Sequence, residues 1–303
     1  MKDISFNNFY KPVVIGIGEV LWDIFPEGKE LGGAPANFIY FAKQFGAESY
    51  IISTVGKDVP GNEILAKLNS FGLNTYYVSV NNEHLTGVVD IILDDTGNPY
   101  FKIQKNVAWD YINWSEDIKN IAEVADAVCF GTLAQRSKVS RDTIRKFLHS
   151  TRDECLIVLD LNLRQSFYNK EIIETSLEYA DILKLNDEEF NAVTEMFYVS
   201  GSEPEVLSEL LNNFNLQLIA LTKGENGSIL YSRKGESFKK IPVDNIVDTV
   251  GAGDSFTSVL VMGLLNNIPL KDIHKKAAEV SAFVCSRKGA MPEMPENLIS
   301  RKE

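Results

Sequence analysis

Asp254 closes the stretch Asp248-Thr249-Val250-Gly251-Ala252-Gly253-Asp254, and the helix-like run Ser255-Phe256-Thr257-Ser258-Val259-Leu260-Val261-Met262 follows directly. Gly251 and Gly253 let the backbone turn tightly and keep side chains out of the way. The first N–H groups of such a helix have no partner within it, and the helix dipole favours negative charge there. A carboxylate beside an anion cradle suggests a division of labour. The carboxylate takes a proton from a hydroxyl while the cradle steadies charge on a transferring phosphoryl group. Gly-x-Gly before a helix is common, and an acidic residue in a first turn often serves only the dipole. The assignment therefore depends on what else the chain brings to this point.

Other segments have the residue types such chemistry needs. Leu31-Gly32-Gly33-Ala34-Pro35-Ala36-Asn37 opens a helix. Gly32 and Gly33 allow a ligand close to the backbone, Pro35 suits a first helical turn, and Asn37 offers donors and an acceptor to sugar hydroxyls or caps the turn. Asp23, in Glu19-Val20-Leu21-Trp22-Asp23, could accept from two vicinal hydroxyls or serve a turn. Arg164, in Asp160-Leu161-Asn162-Leu163-Arg164, has the fork geometry for phosphate oxygens. Asn186 and Glu189, in Asn186-Asp187-Glu188-Glu189, could hold Mg²⁺ directly or through water, and the same residues make a good helix N-cap. Thr222-Lys223-Gly224-Glu225-Asn226-Gly227 could cradle a nucleotide phosphate, or be a plain turn.

The elements that must position these groups read as alternating strands and amphipathic helices, hence a largely parallel sheet covered by helices. Strands are expected at 13–18, 50–55, 127–130, 156–160, 182–185 and 218–221, and helices at 36–45, 60–71, 139–149, 172–179 and 205–213. Several of the candidate segments follow a strand, the end at which open α/β sheets bind ligands. Two stretches break the rhythm. Residues 19–31 are too long and polar for a tight strand-to-helix turn. Residues 86–104 read as a hairpin turning at Asp94-Asp95-Thr96-Gly97, and a hairpin inserted there suggests a lid or a dimer contact.

Composition narrows the classes. The 303 residues are 45% hydrophobic and 24% charged, an ordinary globular balance, and can bury a substantial core. The net charge of −12 argues against nucleic acid as a partner, while a small phosphate ligand needs only local positive potential. Cys129, Cys155 and Cys285 lie apart in apolar stretches and suit reduced core thiols, which with the Met1–Asn7 segment's lack of a signal-peptide pattern points to the cytoplasm. His84, His149 and His274 are expected at the surface. No run is long and apolar enough for a membrane span. Gly16-Ile17-Gly18 invites a dinucleotide site, but Leu21 stands where its third glycine belongs.

Gly32-Gly33-Ala34-Pro35-Ala36-Asn37 and Asp248-Thr249-Val250-Gly251-Ala252-Gly253-Asp254, with the spacer Val55-Gly56-Lys57-Asp58-Val59-Pro60-Gly61, resemble the two signatures of the ribokinase-like, or PfkB, carbohydrate kinases. The likeness runs from about Val13 to Met291. It implies a three-layer αβα sandwich in one kinase domain over 1–303, with a small β lid from insertions at about 19–32 and 86–108. It implies ATP-dependent, Mg²⁺-dependent phosphorylation of a sugar's primary hydroxyl. Asp254 would be the base, and Gly251, Ala252 and Gly253 the anion hole. Asp23, Gly32, Gly33, Asn37 and Arg164 would hold the sugar. Asn186, Thr222, Lys223, Gly224, Gly227 and Thr249 would line the nucleotide, and Asn186 and Glu189 would organise the metal. Family members often form homodimers through the lid, and some need a monovalent cation (K⁺) near the Asp248 loop.

Gly18-Glu19-Val20-Leu21-Trp22-Asp23 and Gly131-Thr132-Leu133-Ala134-Gln135-Arg136 look most like bacterial fructokinases. The second lid strand, Phe101-Lys102-Ile103-Gln104-Lys105, lacks the Arg that many fructokinases and ketodeoxygluconate kinases carry; a carboxylate substrate would want that fixed guanidinium, although Lys102 or Lys105 could replace it. Ala34 stands where ribokinases usually have Lys. Fructose is thus the expected acceptor, with 2-dehydro-3-deoxygluconate and ribose behind it. A non-catalytic sugar-binding protein on the same fold would be expected to lack the base or the glycines, and both are present.

Overall fold

The computed structural model describes residues 11–25, 28–93, 99–242 and 245–299. From the N-terminus, β1 (Val13–Ile17) leads into the antiparallel pair β2 (Leu21–Phe25) and β3 (Gly28–Gly32). Then come α1 (Ala34–Gln44), β4 (Glu48–Gly56), α2 (Val59–Ser70) and β5 (Val78–Asn81). A second antiparallel pair follows, β6 (Gly87–Leu93) and β7 (Pro99–Ile103). The chain continues through α3 (Glu116–Ala122), β8 (Ala127–Phe130), α4 (Lys138–Ser150), β9 (Leu156–Asp160), α5 (Lys170–Tyr179) and β10 (Ile182–Asn186). After α6 (Asp187–Phe197) and α7 (Glu203–Asn213) come β11 (Leu218–Thr222), β12 (Ser228–Ser232) and β13 (Gly235–Lys239). The chain closes with α8 (Ala252–Leu265), α9 (Leu270–Cys285) and α10 (Glu296–Ile299).

Nine strands form the main sheet in the order β13-β12-β11-β10-β9-β8-β1-β4-β5. All neighbours are parallel except that β12 runs against both of its own. Strands buried on both faces must be apolar throughout, as these largely are. Their period of two divides the core. Ile15, Phe130, Leu159 and Leu183 face α4, α5 and α7, while Val14, Cys129, Val158 and Ile182 face α1, α8 and α9. Strand order reverses at β1, between β8 and β4. In such sheets a crevice opens beyond the carboxyl ends of the strands at the reversal.

The two irregular stretches join into one four-stranded sheet, β3-β2-β6-β7, with β2 and β6 parallel. The expected lid is therefore a single sheet built from both insertions. Its hairpin turn, Asp94–Gly97, falls outside the described residues, as does the Met1–Asn7 segment. Helices start up to two residues before their expected positions. At α1 and α2 the prolines, Pro35 and Pro60, lie in the first turn as their fixed φ favours, and the helix takes in the one residue before each. Asp58 caps α2 by accepting from Gly61 N–H at 2.8 Å, and it also accepts from Thr86 N–H at 2.8 Å, which ties the helix to the start of the second insertion.

One histidine expectation is corrected. His149 is exposed and His84 half-buried, but His274 has no exposed surface and lies between Ser228 and Ser237 at 2.8 and 2.9 Å. Its position on α9 against β12 and β13 buries it, and burial pulls its pKa down to about 4. The cysteines are free thiols, with Cys129 and Cys155 buried and Cys285 partly so. No described helix is long and apolar enough to cross a membrane.

Candidate active site

Asp254 sits in the first turn of α8, behind an N-cap, Gly251, in the left-handed region at φ +78°. A side chain at 251 would be strained by that angle and would overlap the Ala290 carbonyl. The loop before it is anchored by Asp248, whose carboxylate accepts from Val250 N–H at 3.0 Å and Gly289 N–H at 3.1 Å. Ala252 is buried, Gly253 half-buried and Thr249 exposed.

Across the crevice, Asn37 Nδ2 donates to Asp254 Oδ2 at 2.7 Å. These residues are 217 positions apart. The contact therefore joins the N-terminal turns of α1 and α8, the two glycine-rich helix starts singled out by sequence. The side-chain oxygen of Asn37, Oδ1, is buried with no partner among the described residues. Gly32 and Gly33 are explained by their neighbours. A Cβ at 32 would overlap the Asp23 carboxylate, and one at 33 would overlap the Glu19 carbonyl. Asp23, on the lid strand β2, thus lies directly against the signature loop.

The carboxylates of this crevice are strained electrostatically. Burial, with repulsion from Asp160, raises Asp254 to about 6, against the pull of Lys184, Asn37 and Arg164. Burial raises Asp23 to about 6, with Arg164 opposing. Burial raises Glu19 to about 7, although its own backbone N–H, the Arg164 charge and the Ala34 N–H at the start of α1 favour its ionised form. Arg164 is itself exposed, and its charge acts on all three acids, of which Glu19 is buried and Asp23 and Asp254 half-buried at the surface.

The nucleotide candidates follow β10 and β11, where Asn186 and Thr222 are lateral partners. Asn186 and Glu189 form a reciprocal cap. Asn186 Oδ1 accepts Glu189 N–H at 2.8 Å, and Glu189 Oε2 accepts Asn186 N–H at 2.9 Å. Glu189 Oε1 accepts Leu163 N–H at 2.9 Å. Both carboxylate oxygens are thus held by backbone, and among the described residues no cluster of acids, histidines or cysteines could cage an ion. That donor set fits Mg²⁺, which keeps much of its water and takes few protein ligands beside substrate phosphates. Gly224, at φ +51°, faces open space, whereas Gly227 is needed because a Cβ would overlap the Lys239 carbonyl. Lys223 is paired with Glu203 at 2.7 Å.

Two buried charges escaped sequence reasoning. Asp160 and Lys184 are lateral neighbours on β9 and β10, bonded at 3.0 Å beneath α8. The available signal was a charged residue inside each apolar run, Leu-Ile-Val-Leu-Asp160 and Ile-Leu-Lys184-Leu. A separate open cleft of about 300 Å³, bounded by Lys105, Asp110, Arg136 and Phe167, shares none of the predicted site residues.

Residues 25–297 match the pfkB family carbohydrate kinase model. A fructokinase of Salmonella typhimurium is 26% identical over 299 residues, 92% of this chain and 95% of that protein. A 5-dehydro-2-deoxygluconokinase of Geobacillus kaustophilus is 26% identical over 278 residues, covering 88% and 82%. A crystal structure of an uncharacterized sugar kinase from Pyrococcus horikoshii in complex with ATP superimposes with a TM-score of 0.75 at 27% identity, covering 92% of this chain and 94% of that one.

Proposed function

The chain belongs to the pfkB family of carbohydrate kinases, and on that premise we propose that it is a fructokinase that moves the γ-phosphoryl group of ATP to a primary hydroxyl of fructose. The observation that carries this reading is the 2.7 Å bond between Asn37 and Asp254. It puts a carboxylate, an anion-binding helix start and a polar amide at one point.

In this mechanism Asp23, Asn37 and the Gly32-Gly33 backbone hold the sugar, and Asn37 Oδ1, which has no partner among the described residues, accepts a hydrogen bond from a sugar hydroxyl. Arg164 offers its charge from the open side. Asp254 accepts the proton of the reacting hydroxyl as that oxygen attacks the γ-phosphorus in line and ADP departs with the electron pair of the broken bond. The Gly251–Gly253 turn receives the charge that develops on the phosphoryl oxygens. Asn186, Thr222, Lys223, Gly224, Gly227 and Thr249 line the phosphates, with Lys223 first released from Glu203. Asn186 and Glu189 would hold Mg²⁺ through water, and that ion would supply neutralisation of phosphate charge. The β2-β3-β6-β7 sheet closes over the sugar and excludes water, the competing acceptor.

Fructose is favoured over a sugar acid because the described lid strands carry no Arg, and Arg136, near the end of β7, gives Nε and Nη2 to Asp110 at 2.8 and 2.9 Å, with only Nη1 unpartnered among the described residues. Ala34 at the signature turn disfavours ribose. The test is coupled ADP release with Mg-ATP across fructose, ribose and 2-dehydro-3-deoxygluconate, in potassium and in sodium buffer. Selective turnover of fructose is expected; preference for another acceptor would contradict the assignment, and the buffer comparison reads the K⁺ requirement.

A further inference from the structure

Lys184 is 8% exposed, in the middle of a strand whose other side chains are mostly apolar. Burying an ammonium is unfavourable unless partners replace its water. Asp160 Oδ1 accepts one N–H at 3.0 Å, and Thr257 of α8 donates to Asp160 Oδ2 at 2.9 Å. A pair needed only to neutralise itself would be complete there. Its location suggests more. The strand pleat turns Lys184 toward α8, and a Cβ at residue 253 would come within 2.7 Å of Nζ. The ammonium therefore lies directly beneath the anion-hole backbone, in ground that a glycine leaves open. Among the described residues Asp160 is the sole hydrogen-bond acceptor of Nζ, so two of its three N–H groups are uncommitted. The carboxylates of Asp254 and Glu189, on either side, are close enough to feel its charge.

We propose that Lys184 is a positioning residue for phosphoryl transfer: a fixed positive charge under Gly253 that forms the floor of the anion hole and stabilises the charge developing on the transferred group. This rests on the kinase reading above. It accounts for three features together: a lysine inside a buried strand, a glycine rather than alanine at 253, and an aspartate placed beside the lysine to hold it in register. Lys184 acts through the first turn of α8, in a site where low polarity strengthens such a charge.

The pair can be removed without leaving an uncompensated charge. Asp160→Asn with Lys184→Met is the apolar version, and Asp160→Asn with Lys184→Gln keeps a hydrogen bond should the first not fold. Their effects on Asp254 oppose each other, since Asp160 raises its pKa and Lys184 lowers it. The full chain is assayed with Mg-ATP and the best acceptor, and binding of Mg-ADP is measured with and without aluminium fluoride in the presence of that acceptor. We expect kcat to fall about 100-fold or more, KM for the sugar and affinity for Mg-ADP alone to stay within about threefold of the parent, and the added affinity from aluminium fluoride to be lost in parallel with kcat. Lys184→Arg, which keeps the charge, should recover most of the rate. A folded double variant with near-parental kcat would overturn the inference, leaving Lys184 as no more than the counter-charge of Asp160. A loss confined to KM or to thermal stability would overturn it equally. A parent chain with no kinase activity would instead remove the functional reading on which the inference stands.

Discussion

At the scale of residues, the site combines acids that are hard to ionise with one buried cation, Lys184. Asp254 is raised to about 6 by burial and by Asp160. Its ionised form, the one that can accept a proton, is therefore lost as pH falls through 6. We expect kcat/KM to drop about tenfold per pH unit below that point, from the one-proton titration, and a flat acid limb down to pH 5 would contradict the role. Replacing Asp254 by Ala should cost about 10² to 10⁴ in kcat and leave ATP affinity, measured by calorimetry, nearly intact. Glu19 makes an opposite kind of prediction. Its pKa is near 7 when folded and 4.5 as an ordinary group. The folded state therefore holds the extra proton between these values, and stability falls as pH rises through the window. Glu19→Gln should raise thermal stability at pH 8 by roughly 3 kcal/mol, with the gain vanishing near pH 4. Equal melting temperatures of parent and variant at pH 8 would show that the carboxylate is compensated in the fold. Single-residue chemistry was legible where it follows from local backbone needs. Asp254 and Asn37 stood out because helix starts create unpaired N–H groups. Lys184 did not, because its meaning depends on Asp160, and nothing local to either residue names the other.

At the scale of elements, the N-terminus of α8 distinguishes two glycines. Gly251 is fixed by its left-handed φ of +78° and by the nearby Ala290 carbonyl. Gly251→Ala should therefore lower stability by about 1–3 kcal/mol, read as a fall in melting temperature. Gly253 meets only the end of a lysine side chain. Gly253→Val should act chiefly on kcat, with a smaller thermal shift than Gly251→Ala. The reverse ranking in the two assays would refute this division of roles. Strand and helix positions were readable from periodicity because both faces of the sheet are covered. The errors are helix starts placed one or two residues late and the short edge strands β5 and β13, which were not expected. Residues 19–31 resisted for a different reason. Leu21–Phe25 pairs locally with β3, but its place in a sheet also depends on β6, more than sixty positions later, which lies beside it in parallel. The capping pair Asn186–Glu189 was read both as a cap and as a metal ligand set. The cap is what the structure contains, and the metal role remains part of the proposed function.

At the scale of the whole molecule, crossovers gather segments from 19 to 254 at one end of one sheet. The doubly covered sheet and the reversal of strand order at β1 dictate that end, so the fold and the end at which the candidate segments gather were legible together. Lateral order was not, since alternating strands and helices do not say which strands become neighbours. The lid sheet is separate from the main sheet, and among the described residues its outer strands, β3 and β7, have no further partner strand. Open edges are surfaces that proteins cover or pair, and we propose that a second copy of the chain meets this one through the lid. Light scattering should give a dimer mass, and deletion of 88–103 should give a folded monomer; a dimer that survives the deletion would place the interface elsewhere. The central claim is phosphoryl transfer to fructose with Asp254 as base. Its most direct test is ADP release from Mg-ATP with fructose, comparing the parent with Asp254→Ala. The account predicts strong, fructose-dependent turnover in the parent and near-abolition in the variant. Near-normal turnover in the variant would contradict it.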